Sequence, residues 1–292
     1  MKRDLNPDWM IPNWPAPSHV HAVCTTRAGG ASNPPFDSMN LGDHVGDDAR
    51  HVAQNRSRLL DAIHATPVFL TQVHEVQVVE FDNVTPSGPD LQADACVTRR
   101  PGVACTIMVA DCLPVLFTNR QGTAVGAAHA GWRGLAGEAG EAKAGVLEAF
   151  YQRFVALALV DTAQYAIYSI ANHVAVESPA PQALAAQDIL AWLGPCIGPE
   201  KFEVGGDVRD AFVAKDASAQ TMFKEHARGK WLADLAGLAR LRLRGMGIEN
   251  IYGNDGSAAW CTVSNPSRFF SHRRDAIALG SSGRMAACVW LG

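Results

Sequence analysis

Runs of apolar residues, broken at short intervals by turn residues, predict a chain of short strands. Periodic apolar positions predict helices at 47–64, 135–160, 211–223 and 232–246, the first capped by Asp47 or Asp48. Because helices and strands are segregated rather than alternating regularly, the pattern favours an α+β fold. Strands are predicted at 20–26, 68–81 with a turn inside, 95–98, 103–109, 113–118, 123–129, 189–193, 248–252 and 285–291.

The domain organisation follows from length and from the lack of internal boundaries. The 292 residues would allow one large domain or two small ones, but the chain has no clean linker and no fixed-period repeat. We therefore expect a single domain over 1–292, with a surface insertion near 155–187.

Composition and charge argue against nucleic-acid-binding, membrane-spanning and disulfide-rich proteins. Hydrophobic residues make up 48% and charged residues 18%, and the net charge of −4 argues against a nucleic-acid partner. No apolar run approaches the roughly 18 residues of a membrane span, and the start of the chain lacks a signal-peptide pattern, so we expect a cytoplasmic protein without a membrane partner. The seven cysteines are odd in number and contain no C-x-x-C pair, which disfavours a disulfide framework.

One apolar stretch, VADCLPVLF (109–117), contains a polar interruption that needs an explanation. Without compensation, burying Asp111 would cost about 2–7 kcal/mol. We interpret the neighbouring Cys112 as a metal ligand, together with His74 and His129, which interrupt two other strand patterns. Imidazole and thiolate suit zinc, and also copper, and three protein ligands leave a coordination position free, as in catalytic zinc sites.

One further segment carries candidate anion-binding groups. In HAGWRG (129–134), backbone N–H groups at a helix start and Arg133 are suited to a phosphate or carboxylate, the alternative being a strand-to-helix turn with a solvated arginine. FFSHRRD (269–275), followed by SSGRM (281–285), forms a further polar cluster with Arg273, Arg274 and Arg284. We expect at most one of the two adjacent arginines to face a site, and a solvated loop is the alternative.

These segments belong to an ordered series of motifs that spans roughly 15–292 and resembles the YfiH-like family, also called laccase-domain or polyphenol-oxidase-like proteins. The sequence departs from the family pattern near 155–187 and in RRDAIALGSSGR, which leaves the roles of Arg273 and Arg284 open. The motifs are TTRAGGAS (25–32), MNLGDHVGDD (39–48), NR (55–56), QVH (72–74), ADACVT (93–98), ADCLPVLF (110–117), GAAHAGWRGL (126–135), AWLGPCIGP (191–199), FEVG (202–205), FFSHRRD and SGRMA.

The resemblance implies a fold and a set of site residues. The fold is a single α+β domain of layered mixed sheets with outer helices, related to the catalytic domains of cytotoxic necrotizing factors. The implied metal ligands and catalytic residues are His74, Cys112 and His129. Arg27 and Asn40 match polar family positions near the site, and with Arg133 they are expected to bind substrate and phosphate.

The resemblance also implies a function. We expect a zinc-dependent enzyme, both transferase and hydrolase, whose partners are small molecules: it would cleave adenosine, inosine, guanosine and methylthioadenosine with phosphate, and deaminate adenosine. Asp111 is expected to orient a ligand or relay a proton. The alternatives are a copper-dependent polyphenol oxidase and a cytoplasmic peptidoglycan-precursor editing factor that uses Cys112 as a thiolate with His129 as its base.

Overall fold

The computed structural model describes residues 5–82, 91–137, 144–157 and 185–292. Its helices are α1 (Ala49–Ile63), α2 (Trp132–Ala136), α3 (146–157), α4 (Gly206–Val213), α5 (Leu235–Gly245) and α6 (His272–Leu279). Its strands are β1 (Val20–Cys24), β2 (Thr66–Phe69), β3 (Val78–Glu80), β4 (Ala95–Thr98), β5 (Val103–Val109), β6 (Leu113–Asn119), β7 (Val125–Ala130), β8 (Ile189–Leu193), β9 (Glu203–Gly205), β10 (Phe223–Ala227), β11 (Lys230–Ala233), β12 (Asn250–Gly253) and β13 (Met285–Leu291).

The strands form three sheets. A four-stranded sheet has the order β1-β13-β5-β2, and a six-stranded sheet has the order β12-β8-β6-β7-β4-β3. Both are mixed, because β2 pairs with β5 in parallel, as do β3 with β4 and β12 with β8, whereas the other pairs are antiparallel. A small antiparallel sheet has the order β10-β11-β9.

The apolar core has three layers, one between the two larger sheets and one on the outer face of each. One cluster lies between them and includes Ile107, Val289, Leu116 and Trp192. The outer face of the four-stranded sheet packs on α1, and the outer face of the six-stranded sheet packs on α3, α4 and α5. This layered, mixed arrangement confirms the predicted α+β fold class.

Several predicted boundaries are confirmed and others are wrong. Strands 95–98, 103–109, 189–193 and 285–291 match β4, β5, β8 and β13, and Asp48 caps α1 by accepting the N–H of Arg50. The single helix predicted at 135–160 is wrong. It is interrupted at Gly137, whose φ of 72° ends α2 and whose close approach to the Ala144 carbonyl leaves no room for a side chain.

The helix predicted at 211–223 is also wrong in its bounds. The helix α4 begins at Gly206 and ends at Val213. Beyond it, the Asp216 carboxylate accepts the N–H of Ser218 and caps a separate 3₁₀ turn, Ala217–Met222. This local side-chain hydrogen bond competes with continuation of the α-helix.

The interior of the predicted insertion near 155–187 lies outside the described residues. Among the described helices, none has the length and apolarity needed to cross a bilayer.

Candidate metal centre and its cavity

The chain passes from the four-stranded to the six-stranded sheet at two neighbouring places, and each carries a predicted ligand. The strands β2 and β5 are parallel neighbours, so they end at the same edge of their sheet. Residues 70–77 then lead to β3, and residues 110–112 lead to β6, both in the second sheet. His74 lies in the first crossing and Cys112 in the second, and this topology explains why residues distant in sequence meet.

The first crossing is held in place by the side chain of Gln72. Its amide donates to the carbonyl of Met108 and accepts the N–H of the same residue, both at 2.8 Å. This pair of hydrogen bonds ties the His74 crossing to the end of β5. His74 itself is exposed and has a positive φ of 65°, which few non-glycine residues adopt.

The second crossing contains Asp111, whose φ is 97°. Its carboxylate accepts the Thr262 hydroxyl at 2.5 Å and the Arg273 N–H at 2.6 Å, at the start of α6. Asp111 therefore lies between strands rather than within one and is only half-buried, and these hydrogen bonds offset the cost of its partial burial. These bonds give Asp111 a structural role in the crossing; the predicted ligand-orienting or proton-relay role stays a prediction.

The third residue, His129, lies on β7, where it is opposite Pro114 of β6. Because Pro114 closely follows Cys112, this register brings His129 to the second crossing. The structure places one ligand atom from each of His74, Cys112 and His129 within 4.8 Å of one another, and Cys112 Sγ is 3.9 Å from His74 Nε2. Bonds of about 2.0–2.3 Å to a tetrahedral ion separate ligand atoms by roughly 3.5 Å, so the donor set fits one zinc ion after small adjustments.

A buried carboxylate that the sequence analysis did not single out supports two of the three residues. Asp94, with no exposed surface, pairs with His129 Nδ1 at 2.7 Å. The same carboxylate accepts backbone N–H groups from Val73, His74 and Glu75 at 2.8–3.2 Å. Asp94 thus fixes the ring of His129, leaving Nε2 for a metal, and also fixes the backbone that carries His74.

The electrostatics of the group favour an ionised thiol. Burial opposes ionisation of Cys112, but the neighbouring charge of His129 and hydrogen bonds from both histidines outweigh it and lower the thiol pKa to about 6. Burial also opposes protonation of His129, whereas Cys112 and Asp94 raise its pKa to about 9. A thiolate is the form of cysteine that binds metals and acts as a nucleophile.

The group lines a cavity of about 450 Å³, a size suited to a small-molecule ligand. Its apolar wall contains Trp132, Ile197, Phe202 and Leu235. Besides His74 and His129, its basic lining residues are His44, Arg133, His272, Arg273 and Arg284. The cavity therefore combines an apolar surface for a flat ring with arginine guanidinium groups suited to an anion.

The predicted substrate-binding residues are in different places. Arg133 lines the cavity, stacked on Trp132 with 4.6 Å between the guanidinium carbon and the ring centroid. Arg27 and Asn40 are not among the cavity-lining residues. Arg27 donates to the Asp37 carbonyl, the Asp37 carboxylate and the Pro266 carbonyl, and Asn40 is buried beside Asp47 and Arg284. The helix that contains Arg133 is only five residues long, so the long helix expected directly after HAGWRG is wrong.

The layered sheets and the His/Cys/His group define an α+β protein with a candidate mononuclear metal centre. The chain belongs to the family described as multi-copper polyphenol oxidoreductase laccase, which matches residues 21–159 and 166–292 and confirms the predicted resemblance. Purine nucleoside phosphorylase PA4543 of Pseudomonas aeruginosa is 46% identical to it, over 97% of this chain and 98% of the relative. Purine nucleoside phosphorylase YfiH of Escherichia coli is 44% identical over the same shares.

Solved structures agree with this assignment. A crystal structure of the Neisseria meningitidis protein NMB0706, of the DUF152 family, has a TM-score of 0.76 and 40% identity, and the match covers 97% of this chain and 99% of that one. YfiH of Bacillus licheniformis has a TM-score of 0.71 and 30% identity, with 94% of this chain and 93% of that one covered.

Proposed function

We propose that the protein is a zinc-dependent purine nucleoside phosphorylase that acts in the cytoplasm on adenosine, inosine, guanosine and methylthioadenosine, and that it also deaminates adenosine. The observation that carries the proposal is the convergence of His74, Cys112 and His129 at a cavity in a chain similar to two purine nucleoside phosphorylases over almost its whole length.

The proposed metal ligands are His74, Cys112 and His129. A bound zinc ion would supply Lewis-acid chemistry and would lower the pKa of coordinated water to about 7. The chain's own residues prepare the site for it, because Asp94 orients His129 and the ionised form of Cys112 is stabilised before any metal binds.

The other cavity residues would bind the two substrates. The apolar wall of Trp132, Ile197, Phe202 and Leu235 offers a dry surface for a purine base. Arg133 would bind phosphate near the ribose carbon of the glycosidic bond, where positive charge develops as that bond breaks. The phosphate oxygen attacks this carbon, and the bonding electrons leave with the base, which takes up a proton.

The proposal is tested with zinc-loaded protein, adenosine and inorganic phosphate. We expect adenine and ribose 1-phosphate from phosphorolysis, and inosine from deamination. Cys112→Ala should abolish both reactions, whereas Cys24→Ala, which removes a buried thiol elsewhere, should keep them. Absence of all three products from the wild type, or full activity of Cys112→Ala, would contradict the proposal.

The copper-oxidase alternative is supported by the description of the family. Reduction of dioxygen by four electrons normally needs several coppers, and the described residues contain one group of three metal-ligand side chains. The one His-x-His pair, His19 and His21, does not line the cavity: His19 contacts the Gly122 carbonyl and His21 lies against Trp290. Stoichiometric copper in protein purified without added metal, with visible absorption, would favour this alternative.

The editing-factor alternative is supported by the ionised form of Cys112 beside protonated His129. A thiol hydrolase of peptidoglycan precursors would keep its activity in the presence of a chelator, whereas the proposed phosphorylase would lose its activity. Chelation followed by restoration with zinc therefore separates the two functions.

A further inference from the structure

The cavity is lined by three arginines, and one of them differs from the others in its burial. Arg133 and Arg273 are exposed: the first is stacked on Trp132, and the second donates to the Glu203 carbonyl at 3.2 Å. Arg284 is half-buried, and it lines the same cavity as Cys112. It comes from the segment just before β13, whose function the sequence analysis left open.

The hydrogen bonds of Arg284 leave half of its guanidinium fork free. Its Nη1 donates to the carbonyls of Ser282 and Gly283, at 2.8 and 3.2 Å. Its Nε and Nη2 donate to no group in the described part of the chain, and no carboxylate there forms an ion pair with Arg284. Neither nitrogen belongs to the fully buried, unpaired atoms of those residues, so both remain accessible to a ligand.

The surrounding loop holds this side chain in a defined place. The N–H of Arg284 donates to Asn40 Oδ1 at 2.8 Å, and the N–H of Leu41 donates to the Arg284 carbonyl at 3.0 Å. A β-carbon on Gly42 would stand 2.8 Å from Arg284 Cγ, so glycine at this position makes room for the arginine stem. The Asn-Leu-Gly segment (40–42) therefore acts as a support for Arg284.

The energetics of Arg284 favour an anionic ligand. Burial lowers the pKa of its guanidinium, and the nearby charges of Cys112 and Asp111 only partly oppose this effect. The Asp111 carboxylate is already hydrogen-bonded by Thr262 and by the N–H of Arg273. A partly buried cation without a partnered carboxylate is destabilised by burial, and an anion would supply the missing charge and acceptors.

We propose that Arg284 is a phosphate-binding residue, whose free Nε and Nη2 form a fork for two phosphate oxygens. This inference rests on the proposed phosphorolysis and extends it, because it places the buried phosphate contact at Arg284 instead of Arg27. An arginine fork matches two oxygens of phosphate in one plane, a geometry that a lysine ammonium does not provide.

The test compares Arg284→Gln and Arg284→Lys with wild type in two measurements. The first is steady-state cleavage of inosine with varied phosphate, and the second is calorimetric titration of inorganic phosphate into protein without nucleoside. For Arg284→Gln we expect the KM and Kd for phosphate to rise by about ten- to a hundredfold, because bonds to a charged group are lost. Arg284→Lys should lie between this variant and wild type, and the KM for inosine should change by less than about threefold on the same scale.

Two further variants keep the test decisive. Arg50→Gln removes an exposed arginine on α1 and should leave both phosphate constants unchanged. Gly42→Ala keeps the guanidinium but crowds its stem, so it should raise the KM for phosphate even if Arg284→Gln fails to fold.

The outcomes separate this inference from the function on which it rests. Wild-type phosphate constants in both Arg284 variants, with intact phosphorolysis, would overturn the role of Arg284 and leave the proposed function standing. Phosphate binding that depends on Arg284, in a protein that cleaves no nucleoside, would support the anion site and refute phosphorolysis.

Discussion

Gly131 stands so close to Cys112 that a β-carbon at Gly131 would lie 3.1 Å from the Cys112 sulfur. The same β-carbon would lie 3.1 Å from Cδ2 of His74. Gly131 follows β7 directly and precedes α2, so this part of the backbone forms one side of the ligand group. Its φ of −68° is open to any residue, and the requirement for glycine is therefore one of space.

The first prediction follows from this contact. Gly131→Ala should displace Cys112 and His74 by a few tenths of an ångström and weaken zinc binding by about tenfold, as for other changes next to ligands. Zinc affinity is measured by competition with a chromophoric chelator. Gly245→Ala, at the end of α5 with open space around it, is the matched control and should bind zinc like wild type. Equal affinity in the two variants would contradict the prediction.

The second prediction concerns Asp94. An amide in place of this carboxylate keeps the shape but weakens the bond to His129 and the three backbone N–H contacts, so Asp94→Asn should lower zinc affinity by about 10–100-fold. Asp82→Asn is the control, because Asp82 accepts the N–H and guanidinium of Arg99 away from the cavity. Both variants should melt at lower temperature, and only the first should lose metal affinity. A loss shared equally by both would assign Asp94 a purely structural role.

The third prediction is a pH dependence in metal-free protein. Because the pKa of Cys112 is lowered to about 6, the thiolate fraction rises as pH increases through this value, and alkylation by iodoacetamide should be half-maximal near pH 6. For an ordinary thiol of pKa 9.0, alkylation would be half-maximal only near pH 9. Alkylation is followed by mass spectrometry at each pH.

The same experiment has internal controls. The other six cysteines are buried, so Cys112→Ser should remove the fast reaction entirely. Zinc at stoichiometric concentration should protect wild-type protein, since the ligand sulfur is then engaged. A fast reaction that persists with zinc would show that Cys112 is outside the metal site.

The fourth prediction concerns Arg27. Arg27→Gln removes hydrogen bonds to Asp37 and Pro266 and should lower the free energy of unfolding by about 1–3 kcal/mol. Because Arg27 does not line the cavity, the KM for phosphate should stay close to the wild-type value. Chemical denaturation and steady-state kinetics provide the two measurements. Unchanged stability combined with a large rise in this KM would contradict the prediction and support the substrate-binding role predicted from the sequence.

Residue chemistry and motif order allowed the sequence to predict the three converging residues. Imidazole and thiolate groups interrupted apolar strand patterns, and those interruptions coincide with the two sheet crossings and with β7. Asp94 was missed because nothing in ADACVT shows that its carboxylate is buried under three backbone N–H groups. A polar residue directly before a short buried strand was the available signal.

The contrast between the occupied guanidinium of Arg27 and the half-free guanidinium of Arg284 was hidden in the sequence for a similar reason. A sequence shows that both are cations, but the carbonyls and carboxylates that occupy a guanidinium are brought together only by the fold. Helix α6 was missed although its signals were present, since Ser271 caps its start and Gly280 ends it with a φ of 82°. The sheet β10-β11-β9 has strands of three to five residues with one buried position each, which leave a weak apolar pattern.

The two neighbouring crossings also affect how the protein unfolds. All seven cysteines are free, so no covalent bridge joins the sheets. An ion held by one residue from each crossing and one from β7 would connect the two larger sheets. Because it would bind only the folded state, its binding free energy would raise the melting temperature of the protein. Loss of the ion would then weaken the packing of the two sheets first at the edge that carries His74 and Cys112, which links metal supply to the lifetime of the folded chain.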